Sequence, residues 1–337
     1  MRRVFVTGGT GFVGAHVVRK LVGRGDHVIA LARRKADTAL LNGLPVEIVP
    51  GDITDLETLL WPMRRCGEIY HIAADYRLWA RQPEEIYYNN VIGTLNVMEA
   101  ALRTQAPRVV YTSTVGCLGI PRDGSPGDEC TPVKRTDLVG HYKKSKYDAE
   151  KTVLEYVDKG LDAVIVNPST PVGPGDIKPT PTGRIIVDFL NGGIRGYMDT
   201  GLNLISVEDV AEGHLLAAAK GRTGERYILG NENLTLREIL AVLSRITGLG
   251  APTLQVPYFL ALSAALASGM ASRITNRQPA IPLEGVRMAK KKMFFSSAKA
   301  LRELDLPQSS VSDALSEAVD WFKANGYTKN VKGSASA

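Results

Sequence analysis

Cysteine is scarce in this 337-residue sequence, which contains only Cys66, Cys117 and Cys130. Three widely separated cysteines provide neither an even-numbered disulfide framework nor the close pairs that are typical of zinc sites. The sequence therefore predicts no metal site. We expect three reduced, buried thiols and a cytoplasmic protein.

Long apolar runs and long basic runs are also missing. No segment has the pattern of a signal peptide, and no apolar run reaches the length of a transmembrane helix. The net charge is +6, from 41 basic and 35 acidic residues, and no basic run is interleaved with aromatic residues. These features argue against nucleic-acid binding. The densest basic cluster, Lys290–Lys292, suits anionic lipid or phosphate.

The most apolar segment is Val256–Met270, with the sequence VPYFLALSAALASGM. It is too short to cross a membrane, and we expect a buried helix. Two alternatives remain open. The segment lines an apolar substrate pocket, or one of its faces rests on a membrane.

Glycine is concentrated where the first predicted strand, Arg2–Thr7, gives way to a helix. The segment Thr7–Gly14, TGGTGFVG, fits the dinucleotide fingerprint G-x-G-x-x-G and also the spacing G-x-x-G-x-x-G. Glycines at such positions permit a tight turn, a close approach of the backbone to a pyrophosphate and close helix–strand packing. A glycine-rich turn without a ligand is the alternative. Because strand, glycines and helix follow in the required order, we predict a dinucleotide site at the start of this helix.

An acidic residue is absent at the end of the second predicted strand, His27–Ala32. Enzymes that use NAD commonly place an acid there to bind the ribose hydroxyls. Here Arg33, Arg34 and Lys35 follow instead. Because arginine suits a 2′-phosphate, the sequence favours NADP(H) over NAD(H), with ordinary solvated loop charges as the alternative.

The ends of the third and fourth predicted strands suit the same ligand. Asp52 and Ile53 offer an acid and an apolar side chain for the amino group and ring of adenine. Ala73 and Ala74 are small enough for a cofactor to lie across the sheet edge, where such sheets bind ligands. We interpret His71, within the fourth strand, as a hydrogen-bonded core histidine and not as a base.

A polar and aromatic loop, Asp75–Trp79, follows the fourth strand. Asp75 and Tyr76 are its candidate substrate contacts. Arg184, in a later predicted helix, is a third candidate.

Strands alternate with helices through the first half of the chain, which predicts an α/β fold of the Rossmann type with a doubly wound parallel sheet. Residues 1–167 are expected to form the dinucleotide-binding domain. Beyond Pro168 the chain becomes rich in proline and glycine, and residues 168–325 are expected to form a smaller, mostly helical substrate-binding region. Residues 200–230 are expected to return to the first domain, and 326–337 to form a flexible tail.

Catalytic side chains are predicted on the helix that begins near His141. Tyr142 and Lys146 are four residues apart and share one helix face. An ammonium group beside the phenol, together with an oxidised nicotinamide, would bring the tyrosine pKa towards the working range. Thr114, after the fifth strand, is placed to hold a substrate oxygen.

The spacing alone does not choose the tyrosine, since Tyr147 and Lys151 are also four residues apart. The two pairs point in directions that differ by about 140° around the helix. We select Tyr142 because it lies in the first turn, near the ligand edge of the sheet. Tyr147 is then a packing or surface residue.

The motifs TGGTGFVG, Ser113-Thr114 and YKKSK together resemble those of the extended short-chain dehydrogenase/reductase superfamily. The resemblance covers roughly residues 1–325. Within it, the segments 71–80, 111–119, 167–186 and 199–217 look closest to the hopanoid-associated sugar epimerases, which are similar to dihydroflavonol 4-reductases and to sugar-nucleotide epimerases. Relatives often carry serine at position 114, where this chain has threonine. Threonine keeps the hydroxyl and is expected to keep the role, with Ser113 as the fallback.

The resemblance implies roles for individual residues. Thr114, Tyr142 and Lys146 are the implied catalytic residues. The implied cofactor contacts are Gly8, Thr10, Gly11, Phe12, Val13, Arg33, Asp52, Ile53, Ala73, Ala74, Thr112, Tyr142, Lys146, Pro168 and Ser169. The implied chemistry is hydride transfer between a nicotinamide and a secondary alcohol or ketone, with Tyr142 moving the proton.

Three functions stay open from the sequence. The first is an NADP-dependent reductase or epimerase that acts on a sugar-bearing or polycyclic, hopanoid-like lipid precursor. The second is a nucleotide-sugar epimerase or dehydratase, for which Arg184 and Arg195 are the only obvious ligands of a second pyrophosphate. The third is a non-catalytic NADP-binding sensor. Homodimers formed through helices near 84–104 and 141–159 are common among such relatives, and nothing in the sequence tests this or a peripheral membrane contact.

Overall fold

The computed structural model describes residues 1–77, 80–275 and 282–328. Residues 78–79 of the predicted substrate loop lie outside the described residues, as does the part of the predicted flexible tail beyond residue 328.

A seven-stranded parallel sheet forms the centre of the larger part of the protein. The strands are β1 (Arg3–Thr7), β2 (His27–Ala32), β3 (Val46–Pro50), β4 (Glu68–His71), β5 (Val109–Thr112), β6 (Ala163–Pro168) and β9 (Arg226–Leu229). Their order is β3-β2-β1-β4-β5-β6-β9. The chain winds outward from β1 in one direction and from β4 in the other, so the cleft for a ligand lies at the carboxyl ends of these two strands. This is the predicted doubly wound Rossmann sheet.

Helices cover both faces of the sheet, because strands that are apolar on both sides must be buried on both sides. One face packs against α1 (Phe12–Gly23), α7 (Val207–Lys220) and α11 (Ala298–Leu304). The other packs against α2 (Glu57–Met63), α4 (Gly93–Arg103) and α5 (His141–Asp158).

The helix expected near residues 84–104 is interrupted in its middle. A short helix α3 (Glu84–Tyr87) passes into a π-helical turn, Tyr88–Ile92, before α4 begins. Such turns are rare in proteins, and those that do occur often lie at functional sites.

A smaller unit lies beyond β6 and contains a three-stranded sheet of order β10-β8-β7. Its strands are β7 (Thr170–Val172), β8 (Gly201–Ser206) and β10 (Glu232–Thr235), and its helices are α6 (Pro181–Leu190), α8 (Leu236–Thr247), α9 (Tyr258–Thr275), α10 (Leu283–Met288) and α12 (Val311–Ala324). Within residues 200–230, α7 and β9 lie with the seven-stranded sheet, whereas β8 pairs with β7 and β10. These short strands were not predicted, because their partners are distant in sequence.

Two expectations from composition are wrong. The apolar segment Val256–Met270 does form a helix, α9, but Phe259 and Met270 are 64% and 63% exposed, because the helix packs on its neighbours along one side only. Cys130 is exposed, since it lies in a surface turn held by the Asp128 carboxylate, whereas Cys66 and Cys117 are buried. Among the described residues, no helix is both long and apolar enough to traverse a bilayer.

Candidate active site

The glycine turn between β1 and α1 has the shape of a cradle for an anionic ligand. Gly8 has φ of +73°, and a Cβ atom there would lie 2.5 Å from the backbone nitrogen of Ala73. A Cβ atom at Gly14 would clash with the carbonyl oxygen of Gly8. The N-terminus of α1 has no side-chain cap and no acidic residue in its first turn. Its backbone N–H groups are therefore available to phosphate, and the two glycines let the turn pack closely against the end of β4 and the start of α1.

The ends of β1 and β4 are fastened together beneath this cradle. The backbone N–H of Ala73 donates to the Thr7 hydroxyl at 3.2 Å. The ring of His71 lies between the hydroxyls of Thr7 (2.8 Å) and Thr94 (3.0 Å). Complete burial lowers the pKa of His71 to about 3, and Lys146 lowers it further. His71 is thus neutral and hydrogen-bonded on both nitrogens, as predicted.

The predicted adenine and ribose contacts lie at the ends of β2 and β3. Arg33 directly follows β2 and is exposed, and no ion pair engages it among the described residues. One oxygen of Asp52 accepts from the backbone and the hydroxyl of Thr54, at 2.9 and 2.8 Å. The carbonyl of Ile53 accepts from Asn96 at 3.0 Å, which fixes this loop to α4.

The predicted catalytic residues come together at the carboxyl end of β5. Lys146 is 1% exposed, and its ammonium group donates to the Thr112 carbonyl at 2.7 Å. Burial lowers the pKa of Lys146 to about 8, against the opposing effect of Cys117 and Glu150. The Thr114 side chain lies near the Tyr142 phenol and acts to lower its pKa, and the Thr114 hydroxyl accepts from the backbone N–H of Gly116 at 3.1 Å. The structure therefore places the phenol near Thr114 and the buried ammonium group on the neighbouring Thr112, at the end of β5.

The phenol of Tyr142 holds its proton firmly. Burial raises the pKa of Tyr142 above its ordinary value, and the nearby Cys117 acts in the same direction, whereas Thr114 acts against them. We expected Lys146 and an oxidised nicotinamide to lower the pKa of Tyr142. In the protein alone, burial is the largest effect, and it raises that pKa. A protonated phenol is suited to donate a proton to a substrate oxygen.

The competing pair on α5 lies elsewhere. The ammonium group of Lys151 stacks 4.8 Å from the centre of the Tyr147 ring, and Lys151 is exposed. Tyr147 and Lys151 thus contact each other on the outer side of the helix, where we expected Tyr147 to be a packing or surface residue.

The predicted nicotinamide contacts end β6. The hydroxyl oxygen of Ser169 is buried and has no hydrogen-bond partner among the described residues. Buried hydroxyls are normally satisfied, so this atom fits a position that contacts a ligand. Its neighbour Pro168 is the last residue of β6, and Thr10, Phe12 and Val13 lie half-buried at the start of α1.

The candidate substrate residues are less clearly assembled. The carboxylate of Asp75 is occupied by Arg77 at 2.7 Å and by the Asn89 amide at 3.1 Å. Tyr76 is 44% exposed, and its hydroxyl lies 3.5 Å from the Lys178 carbonyl. Arg184 is exposed on α6. The geometry does not gather these three side chains around one point.

Asn90 is a site residue that sequence reasoning passed over. It lies in the π-helical turn, is 2% exposed, and its amide donates to the Ser145 hydroxyl and the Asp75 carbonyl, both at 2.9 Å. Its side-chain oxygen accepts from the backbone of Asp75 at 2.7 Å. Asn90 thus couples the substrate loop to the helix that carries Tyr142. An asparagine in the interior of a helix was the available signal.

Glu150 is a second such residue, one turn beyond Lys146. Its carboxylate accepts from Ser113 at 2.5 Å and Asn167 at 3.2 Å, and pairs with Arg226 at 2.5 Å. Asn167 also donates to the Thr114 carbonyl at 3.1 Å. This buried carboxylate therefore joins the ends of β5 and β6 to β9. The signal was an acidic residue in phase with Lys146 along the helix.

Comparisons with known proteins agree with this geometry. The profile of the NAD dependent epimerase/dehydratase family matches residues 4–230. The dihydroflavonol 4-reductase-like protein of Synechocystis sp. is 48% identical over 96% of each chain. Sterol demethylase protein B of Methylococcus capsulatus is 35% identical over 95% of this chain and 98% of its own. The crystal structure of gox2253 superposes with a TM-score of 0.88 at 43% identity, covering 98% of this chain and 100% of the other.

The turn at Gly8 and Gly14, the assembled Thr114, Tyr142 and Lys146, and these similarities point to a single conclusion. The chain belongs to the NAD dependent epimerase/dehydratase family, within the extended short-chain dehydrogenases/reductases, and is an NAD(P)-dependent enzyme.

Proposed function

We propose that this protein is an NADP(H)-dependent oxidoreductase or epimerase that acts on a secondary alcohol or ketone of a sugar-bearing or polycyclic, hopanoid-like lipid precursor. The observation that carries the proposal is the placement of the Tyr142 phenol near the Thr114 side chain, on the same helix that holds the buried ammonium group of Lys146 against the Thr112 carbonyl. A non-catalytic sensor has no need of all three.

The chain's own residues perform distinct tasks in this proposal. Thr114 holds the substrate oxygen, and Tyr142 donates its proton to that oxygen or recovers it. Lys146, fixed on the Thr112 carbonyl, supplies a positive charge to the ribose side of the site. When bound, the nicotinamide dinucleotide supplies or accepts a hydride. Preorganised donors of this kind stabilise an oxyanion without further reorganisation.

The preference for NADP(H) rests on Arg33. Its guanidinium is exposed at the end of β2 and lacks an ion-pair partner among the described residues, where an acid would otherwise bind ribose hydroxyls. A phosphate satisfies such a group by paired, charge-assisted hydrogen bonds.

The substrate class rests on two supports. A 35% identical relative carries the name of a sterol demethylase protein, which refers to a polycyclic lipid. The chain also exposes apolar side chains on α9, in the substrate-binding region. A lipid precursor would reach the enzyme from a membrane, so the proposal includes a peripheral membrane contact.

The proposal also includes a homodimer. Tyr88, Ile92 and Leu95 are 54%, 37% and 38% exposed and lie on one side of the interrupted helix that packs against α5. Apolar side chains spaced four and three residues apart form a stripe that a second helix pair would cover. Light scattering should give a dimer mass for the wild type and a monomer mass for Ile92→Glu.

A nucleotide-sugar epimerase is the second candidate. The matching family description names epimerases and dehydratases. Arg184 and Arg195 are exposed and have no ion pair among the described residues, so they are free to bind a second pyrophosphate.

One experiment separates these candidates. The purified protein is denatured, and any released dinucleotide is identified by chromatography. Retained NADP indicates an epimerase that keeps its hydride, whereas an empty protein that binds NADPH reversibly and oxidises it with a steroid ketone indicates a reductase. Retained NAD, with turnover of a nucleotide sugar and none of the steroid ketone, would overturn the proposal in favour of the second candidate.

A further inference from the structure

The helix α9 exposes an apolar surface that has no partner among the described residues. Its apolar face consists of Phe259, Leu260, Leu266 and Met270, which are 64%, 52%, 48% and 63% exposed. Phe259, Leu266 and Met270 are seven and four residues apart, so they project within about 20° of one direction. Monomeric proteins rarely expose several large apolar side chains side by side unless the patch binds something.

The polar content of this face is unusually low. No charged residue occurs between Tyr258 and Ser272. The hydroxyl of Ser263, which lies between Phe259 and Leu266, donates to the carbonyl of Phe259 at 2.9 Å. The face therefore presents little that water would need to solvate.

A basic rim borders the apolar face. It consists of Arg287, Lys290 and Lys291, which are exposed and have no ion-pair partner among the described residues. The neighbouring Lys292 is neutralised by Asp199 at 3.2 Å. The ammonium group of Lys290 lies 5.7 Å from the centre of the Tyr258 ring, which places the rim beside the first turn of α9.

The same region is attached to the catalytic helix. The carboxylate of Glu284, in α10, lies beside Gly140 and the N–H of His141, where α5 begins. The ammonium group of Lys143, next to Tyr142, lies 3.4 Å from the Met293 sulfur. The segments on both sides of the basic rim, α10 and Met293, thus contact the first turn of the helix that carries Tyr142.

We propose that the apolar face and the basic rim dock this enzyme on an anionic phospholipid surface. Apolar side chains enter the acyl region, while lysine and arginine bind the negatively charged head groups. The basic rim favours a lipid surface over a second copy of this chain as the partner, because pairing of two copies through this face would bring their positively charged rims together. Delivery of a lipid precursor to Tyr142 through this surface rests on the proposed function, whereas docking itself does not.

Vesicle sedimentation of the purified full-length protein tests the proposal. The wild type should bind vesicles of phosphatidylcholine mixed with phosphatidylglycerol, and bind them less as salt is raised. Binding to phosphatidylcholine alone should be at least about tenfold weaker. Absence of binding to the anionic vesicles would overturn the proposal.

Matched variants identify the surface. Phe259→Ser with Leu266→Ser should lower binding at least about tenfold, whereas Trp61→Ser, at an equally exposed position on α2, should not. Lys290→Gln with Lys291→Gln should lower it about tenfold, and Arg64→Gln with Lys323→Gln should leave it unchanged. Circular dichroism checks that each variant is folded. Equal binding by the apolar variant and the wild type would refute this surface.

Two measurements keep the outcomes separate. Light scattering of the Phe259→Ser, Leu266→Ser variant should give the wild-type mass, and a lower mass would show that a second copy covers this face instead. Vesicle binding is measured without turnover. Failure of ketone reduction would therefore count against the proposed function, and failure of sedimentation against the docking surface.

Discussion

The carboxylate of Glu150 accepts a hydrogen bond from the Ser113 hydroxyl at 2.5 Å. Ser113 is 4% exposed and is thereby directed into the protein. Its neighbour Thr114 instead lies near the phenol of Tyr142. This placement supports Thr114, and not the fallback Ser113, as the group that holds the substrate oxygen.

Replacement of Tyr142 by phenylalanine should lower kcat by about 1000-fold, because the proton donor is removed while the ring is kept. NADPH binding, measured by fluorescence titration, should change little. Tyr147→Phe, five residues along the same helix, should retain wild-type kcat. Loss of activity in Tyr147→Phe but not in Tyr142→Phe would reverse our assignment.

Thr114→Val should lower kcat/KM by about 100-fold to 1000-fold, since one donor to the developing oxyanion is lost. Thr114→Ser keeps the hydroxyl and should remain within about tenfold of the wild type. Steady-state kinetics with a ketone and NADPH measure both. If valine were tolerated as well as serine, the role of this hydroxyl would have to be abandoned.

Arg33→Ala should raise the KM for NADPH by about tenfold to 100-fold and leave that for NADH unchanged, because only NADPH loses a charge-assisted contact. Arg34→Ala, the neighbouring exposed arginine, provides the control and should have a smaller effect. Equal losses with both cofactors would contradict a 2′-phosphate site at Arg33.

The pKa of Lys146, lowered by burial to about 8, predicts an alkaline limit to activity. Below this pH the side chain is charged and active, and above it the neutral amine should lower kcat/KM by up to about tenfold per pH unit. The free energy of unfolding should change with pH in the opposite direction to the activity, because the buried ammonium group destabilises the fold near neutral pH. This cost disappears as the pH rises from about 8 to the ordinary value of 10.5.

A pH profile of kcat/KM, and urea unfolding of the wild type and Lys146→Met at several pH values, check these expectations. The stability of the wild type relative to Lys146→Met should increase with pH above 8. Activity that stays constant up to pH 10 would show that the charge on Lys146 is not needed.

Glu150→Gln should lower the free energy of unfolding by about 2 kcal/mol. The substitution leaves Arg226 without its counter-ion, and the cost lies below that of a fully buried pair because the Arg226 side chain is 35% exposed. Glu155→Gln, an exposed site on the same helix, should be neutral within about 0.5 kcal/mol. Urea denaturation measures both, and equal stability of the two variants would remove the structural role of Glu150.

The sequence by itself determined those features of the fold and of the candidate site that depend on residues close together in the chain. The glycines of Thr7–Gly14, the alternation of strands with helices and the four-residue spacing of Tyr142 and Lys146 are local patterns. The sheet, its cofactor cradle and the helix that carries the tyrosine follow from them directly. The bounds of helix α8 are likewise set by local residues, because Thr235 and Glu238 form a capping box at its start and Gly248 ends it in a left-handed conformation.

Only the tertiary structure decided what depends on distant residues. Glu150 and Arg226 form an ion pair although they are far apart in sequence, and Asn90 joins Ser145 through the π-helical turn. No local pattern specifies such pairs. The exposure of α9 is a similar case, because composition shows that a segment is apolar, whereas packing decides whether anything covers it.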